Sequence, residues 1–426
     1  MKKGNPVTLD ASFLYTPANW ADVNAVHGVF DRLRAEDPVH YCSAEGYPNL
    51  WHVTKHADIF DVERRTNEFL NEPRLIINTS EQEAKVRAQT GGSLNRIRTL
   101  LTYNPPEHMK LRLLTQSWFM PKNLGKLKAR VTDSISTSCS VVEKNDGYLD
   151  FARDVALEYP LRVIMAVLGV PERDYGLMLR LTQELFGPED PDTGRKVEEG
   201  VDTDKALAQT VSDLFAYFRE LTQEKIANPQ DDVGTIIANA EVDGAPLDEM
   251  AKLGYYIIVA TAGHDTTSYS LTEAMHQLAR DPTLLQRLKN APEETSALIT
   301  EEAIRYAAPV RHFIRTASKD TPLGGKTIHE GESVILWYPS GSRDEEVFDD
   351  PHTFNIDRDL STRHAAFGHG AHMCLGMHLA RMELSMFLQS IASEVQSIEL
   401  RDAPKYIQAN FVGGIKSLPV KLNLKR

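Results

Sequence analysis

Apolar residues recur at three- and four-residue spacing over Leu124–Val142, Leu207–Ala227 and Leu375–Val395, the period of a helix that buries one face. The longest such run extends from Leu247 to Arg280 and predicts one long helix, with Pro246 and Asp248 at its start and Asp281-Pro282 at its end. Strand signals are sparse. Gly46–Val53 and Glu332–Tyr338 are the best two, and the stretch Leu418–Leu424 alternates. The segments Gly187–Thr203, Ala317–Gly331 and Pro339–Ala371 have little periodicity and read as loops. The last carries aromatic and apolar residues and reads as ordered, and long irregular segments in compact domains are usually functional or disordered. No 20–50-residue period of the kind found in solenoids repeats, and no Ser/Gly-rich linker divides the chain. The pattern predicts one mainly α domain over residues 1–426, with a minor β region toward the N-terminus.

Composition narrows the function. The chain has 426 residues, 42% hydrophobic and 25% charged, which is ordinary for a globular protein. Its net charge of −13 argues against a nucleic-acid partner, because phosphate contacts need a basic surface. The start, Met1-Lys2-Lys3-Gly4, is followed by no apolar stretch, and the longest apolar run, Tyr255–Gly263, is too short to span a bilayer. A cytoplasmic protein without a membrane partner is the expectation. Only three cysteines occur, Cys42, Cys139 and Cys374. They exclude a disulfide scaffold and a four-cysteine metal site, and leave open a lone functional thiolate.

Cys374 is the candidate, in Phe367-Gly-His-Gly-Ala-His-Met-Cys-Leu-Gly376. Gly368 and Gly370 allow a tight turn and close approach to a flat ligand. A helical pattern begins directly after the cysteine, so its amides and dipole favour a thiolate. A single cysteine is more often an inert buried residue, but this spacing is specific. The stretch resembles the haem-binding loop of the cytochrome P450 superfamily, whose cysteine thiolate is the axial ligand of the haem iron. The resemblance implies Cys374 as that ligand, haem b (iron protoporphyrin IX) as cofactor, and a triangular, mainly α fold around one haem. Phe367, Ala262 and Gly376 would border the cofactor.

Other motifs agree. Glu302-Ala-Ile-Arg305 resembles the family's Glu-x-x-Arg helix, and Pro351-His-Thr-Phe-Asn-Ile-Asp-Arg358 its later arginine segment. Glu302, Arg305 and Arg358 would form a structural triad pinning the irregular segment. Ala262-Gly263-His264-Asp265-Thr266-Thr267 breaks helix propensity in mid-helix, which suggests a function there. The Thr266 hydroxyl can bond back to the Ala262 carbonyl and loosen the turn. By resemblance, Asp265 and Thr266 are an acid–alcohol pair that delivers protons to O2. His108, Arg112 and Arg315 match the family's propionate-binding residues; His372 and His364 are further candidates. Ser342 stands in Gly341-Ser342-Arg343-Asp344 where the family usually has Asn.

The implied function is a monooxygenase using O2 and two electrons from a separate ferredoxin and its reductase. Lys110, Lys122 and Arg381 are candidates for the docking face, against the alternative of a merely solvated charged face. By resemblance the substrate pocket comprises Ile258, Thr261 and Ala262, then Val310 and Phe313, then Phe411 and Val412. That set is largely apolar and suits a small hydrophobic substrate, a monoterpenoid or an alkyl-aromatic compound. Thr261 is available to orient a polar atom. The regions Leu75–Leu101 and Phe186–Leu207 read as the lid. Within the superfamily, Ala262–Ser268, Ser342–Phe348, Gly370–Gly376 and Asn410–Gly414 look closest to the bacterial terpineol-hydroxylating branch. Two alternatives stay open: a peroxygenase or isomerase needing no redox partner, and a non-catalytic haem-binding protein. Cys42 and Cys139 receive no role.

Overall fold

The computed structural model describes residues 9–186, 190–192, 203–359 and 361–425. Most of the predicted loop at 187–203 and part of the predicted lid at 186–207 lie outside them. The helices that build the site and the core around it are α1 (His56–Arg64), α2 (Glu107–Gln116), α3 (Lys128–Lys144), α4 (Glu158–Leu168), α5 (Thr203–Ala227), α6 (Glu249–Ala262), α7 (Asp265–Arg280), α8 (Pro292–Ala307) and α9 (Met377–Glu394). Three of them, α3, α5 and α9, stand where apolar periodicity placed helices. The main core runs through α4, α6, α7, α8 and α9, with α8 packed on both α7 and α9.

The long helix expected over 247–280 is two helices. Its ends are as predicted: Asp248 accepts from the Ala251 amide at 2.9 Å, and Asp281 caps the following helix. The break at Gly263-His264 has visible causes. The carbonyls of Ala262 and Gly263 accept from the Thr266 and Thr267 hydroxyls, at 2.8 and 3.3 Å. The His264 ring is buried and its Nε2 donates to the Leu157 carbonyl at 2.8 Å. Gly263 rests on α4, and a Cβ there would stand 2.9 Å from Ile164 Cγ1.

The larger sheet has five strands: β1 (Val39–Cys42), β2 (Leu50–Val53), β3 (Phe69–Leu70), β4 (His312–Ala317) and β5 (Ser333–Trp337), in the order β1-β2-β5-β4-β3. β5 is parallel to β2, and the other pairs are antiparallel. The sheet therefore combines early strands with two from the second half of the chain, rather than being only an N-terminal feature. β4 escaped the sequence pattern because five of its six residues are buried, so nothing alternates. The predicted loop 317–331 contains a hairpin, Thr321–Leu323 with Lys326–Ile328, turned at Gly324-Gly325 with φ of +52° and +75°. The predicted strand at 418–424 is Pro419–Leu424, the middle of a three-stranded sheet. No helix among the described residues is long and apolar enough to cross a membrane.

Candidate active site

The cysteine loop is shaped by its glycines. Gly368 and Gly370 have φ of +64° and +66°, and a Cβ on Gly370 would stand 2.3 Å from the Glu63 carbonyl oxygen. The Cys374 amide closes the loop by donating to the Phe367 carbonyl at 2.9 Å. α9 begins three residues later. Burial pushes the Cys374 thiol up; the amides of Gly376 and Met377 and the guanidiniums of Arg112 and Arg381 pull the other way. A metal cation at the sulfur would settle it as thiolate. Cys374 is partly accessible and borders a cavity.

That cavity has a volume of about 430 Å³. Every predicted substrate residue borders it: Ile258, Thr261, Ala262, Val310, Phe313, Phe411 and Val412. So do Thr266, Phe367 and Gly376. Phe313 and Phe411 meet edge to face at 5.6 Å. The Thr261 proton is already committed to the Ile257 carbonyl at 2.7 Å, leaving that hydroxyl only as an acceptor. The described part of the predicted lid, including Leu75, Leu94, Leu100 and Leu207, also lines the cavity.

A polar cluster closes one side. Arg112, Arg315, His108 and His372 all border the cavity, and the two imidazoles stack with centroids 3.7 Å apart. Desolvation, then the nearby cations, holds His108 down to about 4 and His372 down to about 2. Both rings are therefore neutral at pH 7. Asn71 Nδ2 donates to His372 Nδ1 at 3.3 Å, which leaves Nε2 as the protonated, donating nitrogen. His372 Nε2, His108 Nδ1 and Glu63 Oε2 are buried without hydrogen-bond partners. The orphaned His372 donor and two guanidiniums beside an apolar slot with a sulfur in its wall fit a flat, metal-centred ligand carrying carboxylates.

His364 is not part of this cluster. It lies in a separate cleft with Glu301 and Arg381, its Nε2 3.7 Å from Glu301. Its Nδ1 accepts from the Ala366 amide at 3.2 Å and starts the short turn Ala365–Phe367, which directs the ring away from the cavity. Arg381 donates to both oxygens of Glu301, Lys110 pairs with Asp243, and Lys122 is exposed.

Asp265 and Thr266 point differently. Thr266 borders the cavity and back-bonds to Ala262. Asp265 is 3% exposed, sits 3.3 Å from His264 Nδ1, and has an unpartnered Oδ2; burial raises its pKa. It is not among the residues bordering the cavity. The triad, by contrast, is fully assembled. Arg305 holds Glu302 by two bonds of 2.7 Å, and Arg358 Nε reaches the same carboxylate at 3.2 Å. Ser342, the departure from the usual Asn, offers its carbonyl to Arg305 at 2.8 Å, which any residue could do. The sequence reading missed Glu63 and Asn71, since nothing in the pattern marks a glutamate or an asparagine as cavity-lining.

The fold and this pocket define a protein of the thiolate-ligated haem class. The comparisons agree. A family model for Cytochrome P450 matches residues 195–421. The chain is 39% identical to Cytochrome P450-terp of Pseudomonas sp over 409 residues, 95% of each protein. It is 28% identical to a linalool 8-monooxygenase of Pseudomonas putida, over 93% of this chain and 95% of that one. The crystal structure of CYP108D1 from Novosphingobium aromaticivorans superposes with a TM-score of 0.89 at 38% identity, over 96% of this chain and 97% of that one. The chain belongs to the cytochrome P450 family and is a P450 monooxygenase.

Proposed function

We propose that this enzyme hydroxylates a small hydrophobic compound, a monoterpenoid or an alkyl-aromatic, with haem b held on Cys374. The supporting observation is the pairing of Cys374 and Thr266 on one cavity that the apolar side chains of Ile258, Val310, Phe313, Phe411 and Val412 also line. Haem, when bound, supplies O2 activation. Cys374 would ligate its iron, with the Gly376 and Met377 amides tuning the sulfur. Arg112, Arg315, His108 and His372 would hold its propionates. Thr266 would hold a proton at the cavity wall, resupplied from Asp265 after that side chain turns from His264. Ile258, Val310, Phe313, Phe411 and Val412 would orient the substrate and exclude water. Two electrons would come from a ferredoxin and its reductase, docking near Lys122 with Lys110 and Arg381 at the rim. A single domain would carry the whole function. The names of the terpene-related relatives support the substrate class.

The test is a spectral titration of the ferric protein with monoterpenoids, alkylbenzenes, steroids and fatty acids. Monoterpenoids or alkylbenzenes should produce the low-to-high-spin shift. A shift with only fatty acids or steroids contradicts the substrate assignment. Hydroxylation should need ferredoxin; equal rates with hydrogen peroxide alone would favour a peroxygenase.

A further inference from the structure

Glu63 is a buried acid that neither the P450 motifs nor the reading above employs. Helix α1 carries it on its buried face, 4% exposed, at the border of the cavity. Its two oxygens differ. Oε1 accepts from the Tyr338 hydroxyl at 2.8 Å and lies 3.8 Å from Arg315 Nη2. Oε2 is buried and has no partner. The His369 amide also faces the carboxyl, and the backbone over it is pressed close: a Cβ on Gly368 would meet Oε1 at 3.0 Å.

The charge balance of the pocket identifies what Oε2 awaits. Arg112 and Arg315 are the cations of the polar cluster; Arg96, also at the cavity border, donates to Gln89, and His108, His372, His369 and the buried acid Glu383 are all pushed toward the neutral form. Arg64, next on α1, is exposed at the surface, and Tyr338 is kept protonated by burial. Two haem propionates would balance the two guanidiniums. Glu63 makes a third acid for two cations, and adjacent carboxylates in a buried site cannot all ionise. The surplus charge is removed most simply by a proton. On Oε1 it would compete with the Tyr338 and Arg315 donors; on Oε2 it needs only an acceptor.

We propose that Glu63 carries that proton on Oε2 and donates it in a hydrogen bond to a haem propionate, forming an acid–carboxylate pair that couples reduction of the site to proton uptake. The inference rests on the haem-thiolate reading. Burial already raises Glu63 to about 7, against the opposing pull of Arg315 and Tyr338. A propionate beside it raises it further. When a one-electron donor delivers one electron to the site, the added negative charge raises the affinity of the pair for protons. Glu63 then takes up a proton from solvent on average more completely than before, so the reduction potential falls as pH rises through the neutral range.

The test is the reduction potential of the holoprotein against pH, measured by spectroelectrochemistry in wild type, Glu63→Gln, Glu63→Met and His372→Asn, with the infrared spectrum of wild type and Glu63→Gln alongside. Wild type should show a potential that falls with pH around neutrality, and a protonated-carboxyl stretch. The slope should vanish in Glu63→Gln and Glu63→Met and persist in His372→Asn, and Glu63→Gln should lose the part of the carboxyl band that the other buried acids, Asp265 and Glu383, do not supply. A flat wild-type potential overturns the proposal, as does a slope that survives both Glu63 variants and disappears in His372→Asn. If neither variant folds, the reduced-minus-oxidised infrared difference of wild type decides: a protonated-carboxyl band that grows on reduction supports the proposal, and no carboxyl change on reduction overturns it. The carbon monoxide spectrum of reduced wild type separates the two levels, because it reports on Cys374 ligation regardless of Glu63.

Discussion

Arg305 grips Glu302 through both carboxylate oxygens while Arg358 reaches the same group from the irregular segment. The guanidiniums also donate to carbonyls of that segment: Arg305 to Ser342, Pro351 and Thr353, and Arg358 to Asp349, Asp350 and Thr353. One buried carboxylate thus organises a stretch with almost no secondary structure. Glu302→Ala leaves two arginines without their anion and should cost about 3–5 kcal/mol. Urea denaturation measures it; a loss under about 1 kcal/mol, the worth of a surface pair, contradicts the triad's role.

Gly370→Ala should destabilise the cysteine loop. The residue has φ of +66° and its new Cβ would meet the Glu63 carbonyl oxygen at 2.3 Å, a backbone atom that cannot swing aside. Strain of about 1–3 kcal/mol is expected, with reduced haem retention in purified protein. Wild-type stability and haem content in this variant would show that the loop does not need the glycine.

Thr266→Ala removes the hydroxyl that back-bonds to Ala262 at the cavity wall. Substrate-induced spin shift should survive, while electrons divert from product to hydrogen peroxide. Product and peroxide assayed per electron supplied decide it; unchanged coupling removes Thr266 from proton delivery.

Acid should unfold the protein partly through two histidines outside the site. His52 accepts from Trp337 Nε1 on Nδ1 at 2.9 Å and donates from Nε2 to Tyr15 at 2.8 Å; His312 accepts from the Ile77 amide at 3.1 Å and its Nδ1 meets the Asn410 carbonyl at 3.0 Å. Both arrangements require a neutral ring, and burial holds both down to about 3. Unfolded histidine titrates near its usual value, so between the two the unfolded chain binds more protons. Stability is therefore intact above about pH 6.5 and falls below it, by about 1.4 kcal/mol per pH unit for each ring. Urea denaturation at several pH values should give a shallower slope for His52→Gln than for wild type. Parallel slopes would show that the ring protonates without cost.

Much of this was legible in the sequence because motif chemistry is local. The turn at Gly368 and Gly370, the cysteine before a helix and the Glu302–Arg305 spacing each need particular residues at fixed separations. Apolar periodicity likewise placed α3, α5 and α9. What stayed hidden depends on tertiary partners. The break between α6 and α7 needs the Leu157 carbonyl to hold His264. β4 is buried almost throughout and shows no alternation. His364 looked like a haem-side donor by its position near Phe367, but Glu301, from a distant helix, faces it in another cleft. Glu63 looked like one more charge on an amphipathic helix.

The central claim is that Cys374 ligates haem iron as a thiolate. The carbon monoxide difference spectrum of the reduced protein tests it most directly. The account predicts the long-wavelength Soret band from which the family takes its name, lost in Cys374→Ala. A folded, haem-loaded wild-type protein showing only the shorter-wavelength band of an imidazole or thiol ligand would contradict it.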